Sequence, residues 1–157
     1  GGTGAGNTQA SGATALGAQA GQQTQGDHGI AVGRAAGQTN QGSNAIAIGY
    51  YAGGNYQTSN AIAIGRLAAA NTQFPYSIAI GYQAARENQG ANAIAIGANA
   101  GYTSQANNSI VLNATGANLN TTQANSLFVK PIRDVTGNAA FTVQLYYNPT
   151  TGEIGYK

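Results

Sequence analysis

Of the 157 residues only a handful are charged, six Lys and Arg against four Asp and Glu, so the formal net charge of +2 rests on very few groups and no basic stripe for nucleic acid is present. Cysteine, methionine and tryptophan are all absent, which excludes disulfides, thiolate metal sites and thiol catalysis, and no metal or cofactor is expected. No apolar run approaches the ~18 residues of a membrane span and no segment reads as a signal peptide, so membrane insertion by this segment is not expected.

The chain opens in mid-pattern. Gly1-Gly2-Thr3-Gly4-Ala5-Gly6 superficially suggests a phosphate-binding loop, but it has no nearby lysine and fits the phase of a sixteen-residue repeat. Because Gly1 already stands in the glycine column of that repeat, the natural protein is expected to continue upstream. Glycine returns every sixteen residues at Gly1, Gly17, Gly33, Gly49, Gly65, Gly81 and Gly97. Glutamine keeps the same step from Gln9 to Gln105, and alanine from Ala20 to Ala100. A fixed period of this kind marks units that cannot bury an apolar face alone and must stack on their neighbours.

Within each unit stands an alternating phrase, Ile30-Ala31-Val32, Ile46-Ala47-Ile48, Ile62-Ala63-Ile64, Ile78-Ala79-Ile80 and Ile94-Ala95-Ile96. Alternation with β-branched residues predicts a short strand, and copies sixteen residues apart predict parallel stacking at roughly 4.8 Å. A second short segment, from the alanine column toward the glutamine, must return to close each coil. The fold expected is all-β, a parallel β-solenoid or β-roll with 16-residue coils over residues 1–116. The face of the strand between the isoleucines is small and apolar, where a strand facing water should be polar. One face is expected to line the coil and the other to pack against an identical chain, parallel and in register; periodicity does not decide which. Ala31, Ala47, Ala63, Ala79 and Ala95 are taken as the packing candidates.

The glutamines, and Asn44, Asn60, Asn92 and Asn108, are expected to form side-chain amide ladders that hold the register. His28, the only histidine, falls in the asparagine column and reads as a substitute rung rather than a general base. For binding, the position after the glycine alternates in charge and aromaticity: Arg34, Tyr50, Arg66 and Tyr82, with Tyr51 in the adjoining column. These five are the receptor-binding candidates, through cation–π contacts with a ligand or with one another. Tyr56, Phe74, Tyr76 and Tyr102 add aromatics near the other turns.

Residues 117–157 form a region of different character, a C-terminal β cap. Asn125 to Ile132 reads as one more strand slipped by a residue, ended by Pro131. Phe141, Val143, Leu145 and Tyr147 alternate with polar or smaller neighbours, and Asn148 to Gly152 turns them into Glu153-Ile154-Gly155-Tyr156 as a hairpin. Paired carboxylates of the kind that cleave polysaccharides need to stand ~5 to 9.5 Å apart. Asp27 and Glu87 lie about 18 Å apart along the rod at the usual strand spacing, and Asp134 with Glu153 has no supporting histidine. No enzyme is expected.

The phrases Asn44-Ala45-Ile46-Ala47-Ile48-Gly49 and Asn60-Ala61-Ile62-Ala63-Ile64-Gly65 resemble the head repeats of YadA-like trimeric autotransporter adhesins, over roughly residues 10 to 116. The resemblance implies a left-handed roll, a homotrimer, an extracellular position on a cell surface or virion, and attachment to a host-surface glycan or protein receptor. Similar head repeats are at home in phage and large-virus fibre proteins. Ser126-Leu127-Phe128-Val129-Lys130-Pro131-Ile132-Arg133, with the segment from Leu145 to Tyr156, is similar to the stretch that precedes an endosialidase-type intramolecular chaperone in viral tail fibres. The expected role is a structural and adhesive fibre segment, with a passive spacer as the alternative and a polysaccharide-degrading fibre behind it. An ice- or mineral-binding flat solenoid is disfavoured, since no threonine pair repeats on one column.

Overall fold

A computed structural model describes residues 8–133 and 145–156. The described residues are all-β, without a helix, and wind into a parallel β-solenoid of about seven coils with a sixteen-residue step.

One long sheet runs the length of the solenoid. Its strands are β2 (Thr14–Leu16), β4 (Ile30–Val32), β5 (Ile46–Ile48), β6 (Ile62–Ile64), β7 (Ile78–Ile80), β8 (Ile94–Ile96), β9 (Ile110–Asn113) and β10 (Leu127–Lys130), each parallel to the next. Register keeps like on like: Ile46 pairs with Ile62, Ala47 with Ala63 and Ile48 with Ile64. The step to β10 is one residue longer, Leu127 lying beside Ile110 and Phe128 beside Val111, so the slipped strand expected there is present. On the return side the chain is less regular. β1 (Thr8–Gln9) and β3 (Thr24–Gln25) pair in parallel, and higher coils meet there through single bridges such as Gln57 to Gln73. β11 (Leu145–Tyr147) and β12 (Ile154–Tyr156) pair antiparallel, with the Asn148 N–H donating to the Glu153 carbonyl at 2.9 Å. Phe141 and Val143, expected in the same strand as β11, lie outside the described residues, as does Asp134.

The turns explain why this sequence can bend so often. Gly49 and Gly65 follow their strands with φ near 127° and 126°, in a region closed to other residues. A Cβ on Gly65 would stand 2.6 Å from the Gly81 carbonyl oxygen of the next coil, so each turn is a glycine backbone laid directly on another. Before β5, β6, β8, β9 and β10, Asn44, Asn60, Asn92, Asn108 and Asn125 are left-handed, with φ between 54° and 60°; asparagine tolerates that region better than most residues.

The interior reverses one expectation. Ala31, Ala47, Ala63, Ala79 and Ala95 are completely buried inside their own chain, packed on the returning column Ala20, Ala36, Ala52, Ala68, Ala84 and Ala100. They do not reach a surface, so the subunit-packing role assigned to them is corrected. Two columns of methyl groups fill the space because the coil is thin, and Val111 and Leu119 finish the core at the far end. The isoleucines of the same strands face out. Ile48, Ile80 and Ile96 are between 36% and 41% exposed, and Leu16 and Leu127 are 66% and 53% exposed.

Candidate functional site

Three sets of side chains repeat along the rod. The first is internal. Gln25, Gln41, Gln57, Gln73, Gln89 and Gln105 are at most 3% exposed, on the inside of the return path. The Gln57 amide donates to the Ile46 carbonyl at 2.8 Å, to the Ala61 carbonyl at 3.3 Å and to Gln73 Oε1 at 3.0 Å. It accepts from Gln41 at 3.1 Å. The same pattern carries the ladder through Gln73 and Gln89 to Gln105. Gln25 likewise donates to the Thr14 and Gly29 carbonyls but does not bond Gln41 Oε1, and Gln25 Oε1 and Gln41 Oε1 are without a partner. A buried amide left unpaired is costly, so the ladder couples strand side to return side and coil to coil.

The second set is the asparagine column on the edge that precedes each strand. Asn92 donates to Asn108 at 3.2 Å and Asn108 to Asn125 at 3.0 Å, an exposed ladder at the C-terminal end. His28 takes the same left-handed backbone, φ 57°, and is exposed; its main-chain N–H donates to the Ser11 carbonyl at 2.9 Å.

The third set is the predicted receptor stripe on the opposite edge, and the structure does bring it together. Arg34 lies over the Tyr50 ring at 5.6 Å, and Arg66 stands between Tyr50 and Tyr82 at 5.8 and 5.5 Å. Arg66 Nη1 also donates to the Tyr82 hydroxyl at 3.3 Å. The guanidiniums and rings form one continuous stack over four coils, with all four side chains exposed. Tyr51 turns aside: its ring stands 6.3 Å from that of Tyr50 and its hydroxyl bonds Asn55 Oδ1 at 3.3 Å. A second pair, Arg86 over Tyr102 at 5.5 Å with a guanidinium–hydroxyl hydrogen bond, repeats the device further up.

Near the C-terminal end an open cavity of about 710 Å³ is lined by Ile110 and Leu127 of the outward sheet face and by Tyr147 and Ile154 of the hairpin. A shallower cleft of about 450 Å³ opens on the pre-strand edge, lined by residues that include Asn40, Ser43, Tyr56 and Thr58. Among the described residues, no group of three or more His, Cys, Asp or Glu is placed to hold a metal, and no helix is long and apolar enough to cross a membrane. No protein-family model, curated protein or solved structure matches the chain.

Proposed function

We propose that this chain is a segment of an extracellular adhesive fibre, in which three copies stand parallel and in register. The observation that carries the assembly is the outward face of the long sheet. Two unbroken columns, Ile30 to Leu127 and Leu16 to Val129, turn aliphatic side chains out of the coil on every strand from β4 to β10. A contiguous apolar stripe of that length calls for a partner. The partner with the same sixteen-residue repeat is a second copy of the chain. The number three and a left-handed winding follow from the likeness to YadA-type head repeats, as does a position on a virion fibre or cell surface. The antiparallel hairpin then serves as the cap of the C-terminal end, where the stacked strands would otherwise finish in an open edge.

Rigid trimers make weak contacts count together, since three copies of one site on a single rod raise avidity without any new contact. The adhesive role is supported by a low-charge surface carrying aromatic side chains that the fold leaves exposed. A passive spacer is the competing reading, and one observation favours it: Arg34, Tyr50, Arg66 and Tyr82 are engaged with each other. We assign that stripe to bracing the coil edge. The test is retention of the 157-residue protein on candidate host cells. Cells should retain the wild type, and Arg66→Ala with Tyr82→Ala should leave retention and assembly intact. Selective loss of retention in that variant returns the stripe to the role of receptor contact, and no retention of the wild type supports the spacer.

A further inference from the structure

Three side chains depart from the repeat in the same direction on two adjacent coils, Tyr56 on one and Phe74 and Tyr76 on the next. Tyr56 stands where other coils have Thr24, Asn40, Thr72, Asn88 and Ser104, Phe74 where they have Gly26, Gly42, Thr58, Gly90 and Ala106, and Tyr76 where they have His28, Asn44, Asn60, Asn92 and Asn108. Each departure is to an aromatic. All three are well exposed, at 56%, 46% and 64%. Tyr56 and Tyr76 keep the left-handed backbone of the asparagines they replace, φ 49° and 59°, although a bulky aromatic is disfavoured there. Bare packing does not account for them, because asparagine, threonine or glycine serves the fold at these positions in neighbouring coils.

We propose that Tyr56, Phe74 and Tyr76 form a binding site for an uncharged glycan on the edge of the rod that precedes the isoleucine strands; this rests on the adhesive reading above. The Gln73 N–H donates to the Tyr56 carbonyl at 3.1 Å, which places Phe74 diagonally across from Tyr56. Both are exposed beside the buried glutamines, their backbone positions on the order of 8 Å apart from one strand spacing across and two residues along. The turn that carries Phe74 and Tyr76 is fixed before any ligand arrives. The Phe74 N–H donates to the Gln89 carbonyl, the Ser77 hydroxyl to the Phe74 carbonyl at 2.6 Å, and the Asn92 N–H to the Pro75 carbonyl at 3.1 Å. Pro75 locks its own φ between the two aromatics. A platform held this way loses little freedom on binding.

The chemistry of the surroundings selects the ligand. Residues 55–60 and 71–77 contain no charged side chain. Tyr56 forms a wall of the polar cleft that Asn40, Ser43, Thr58 and Ser59 also line. A sugar ring has an apolar C–H face that lies on an aromatic ring and a rim of hydroxyls that amides and hydroxyls can bond, and this edge offers both. A sister chain fits less well: a parallel, in-register contact repeats on every coil, as the isoleucine columns do, whereas these aromatics occupy two coils only.

The test replaces the three by the residues of neighbouring coils, Tyr56→Asn, Phe74→Gly and Tyr76→Asn, a change that relieves backbone strain and preserves the repeat. Wild-type and triple-variant proteins are applied to arrays of neutral and of acidic polysaccharides and to host cells, with oligomeric mass and melting temperature measured alongside. The proposal expects wild-type binding to neutral polysaccharide, about a tenfold loss or more in the triple variant, as removal of stacked aromatic anchors implies, an unchanged mass and a melting temperature equal or higher. Arg66→Ala with Tyr82→Ala should bind as wild type. Cell retention that survives the triple substitution, or binding to acidic polysaccharide alone, overturns this site while the adhesive role stands. A fall in oligomeric mass reassigns the aromatics to the subunit contact and overturns the proposal. A wild type that neither cells nor any polysaccharide retains overturns both.

Discussion

Gly65 has no room for a side chain. Its φ of 126° and the 2.6 Å that would separate a Cβ from the Gly81 carbonyl oxygen make Gly65→Ala a backbone collision rather than a packing adjustment. We expect a loss of about 3 kcal/mol, from strain of the kind that costs ~1–3 kcal/mol together with overpacking of similar size, read as a lowered thermal midpoint. Gln57 is the polar counterpart. Gln57→Ala leaves Gln73 Oε1 without its donor in a dry interior, removes the amide bond to the Ile46 carbonyl and takes away an acceptor of Gln41. At ~1–3 kcal/mol for a buried group left unpaired, it should destabilise by about 2 kcal/mol in chemical denaturation. Gln38→Ala, which removes a part-buried amide pair with Gln22, should cost under about 1 kcal/mol. Equal losses for Gln57 and Gln38 would contradict the internal ladder. At this scale the sixteen-residue glutamine column was plain in the sequence, but its position inside the coil was not. An amide reads as a surface group until the carbonyls it serves are known, and those belong to residues eleven before and four after it.

At the scale of the strand, alternation and phase were enough to predict β4 to β8, their parallel pairing and the slipped strand β10. They did not decide which face is inside, because isoleucine and alanine are both apolar and the usual contrast with a polar face is missing. Volume settles it. The return path brings the second alanine column, Ala20 to Ala100, against Ala31 to Ala95, at a separation that only methyl groups fill. Ala63→Leu should therefore overpack the coil and cost about 1–3 kcal/mol of fold stability, seen in the melt of any oligomeric state. Substituting the outward face should do the opposite. Ile48→Glu, Ile80→Glu and Ile96→Glu together place charges on side chains already 36–41% exposed, so circular dichroism should keep its β signal while the assembly dissociates. Unfolding by the glutamates with tolerance of Ala63→Leu would reverse the assignment of the two faces. The binding candidates were legible as a column, since Arg34, Tyr50, Arg66 and Tyr82 keep the repeat step; their mutual stacking depended on coil spacing and rotamers that one dimension does not contain.

For the whole molecule, the described chain supplies its own thin core of alanine and glutamine and then exposes a strip of isoleucine that runs the length of the long sheet. Most of the internal order comes from neighbours sixteen residues apart, so stability should build coil by coil, and in the assembly we propose the outward strip is covered by other copies. Static light scattering on the purified 157-residue protein across a range of concentrations tests this most directly. The account predicts a mass three times the 15.7 kDa of one chain, falling to 15.7 kDa in the triple glutamate variant. A wild-type protein that stays at 15.7 kDa at every concentration while remaining folded would contradict it.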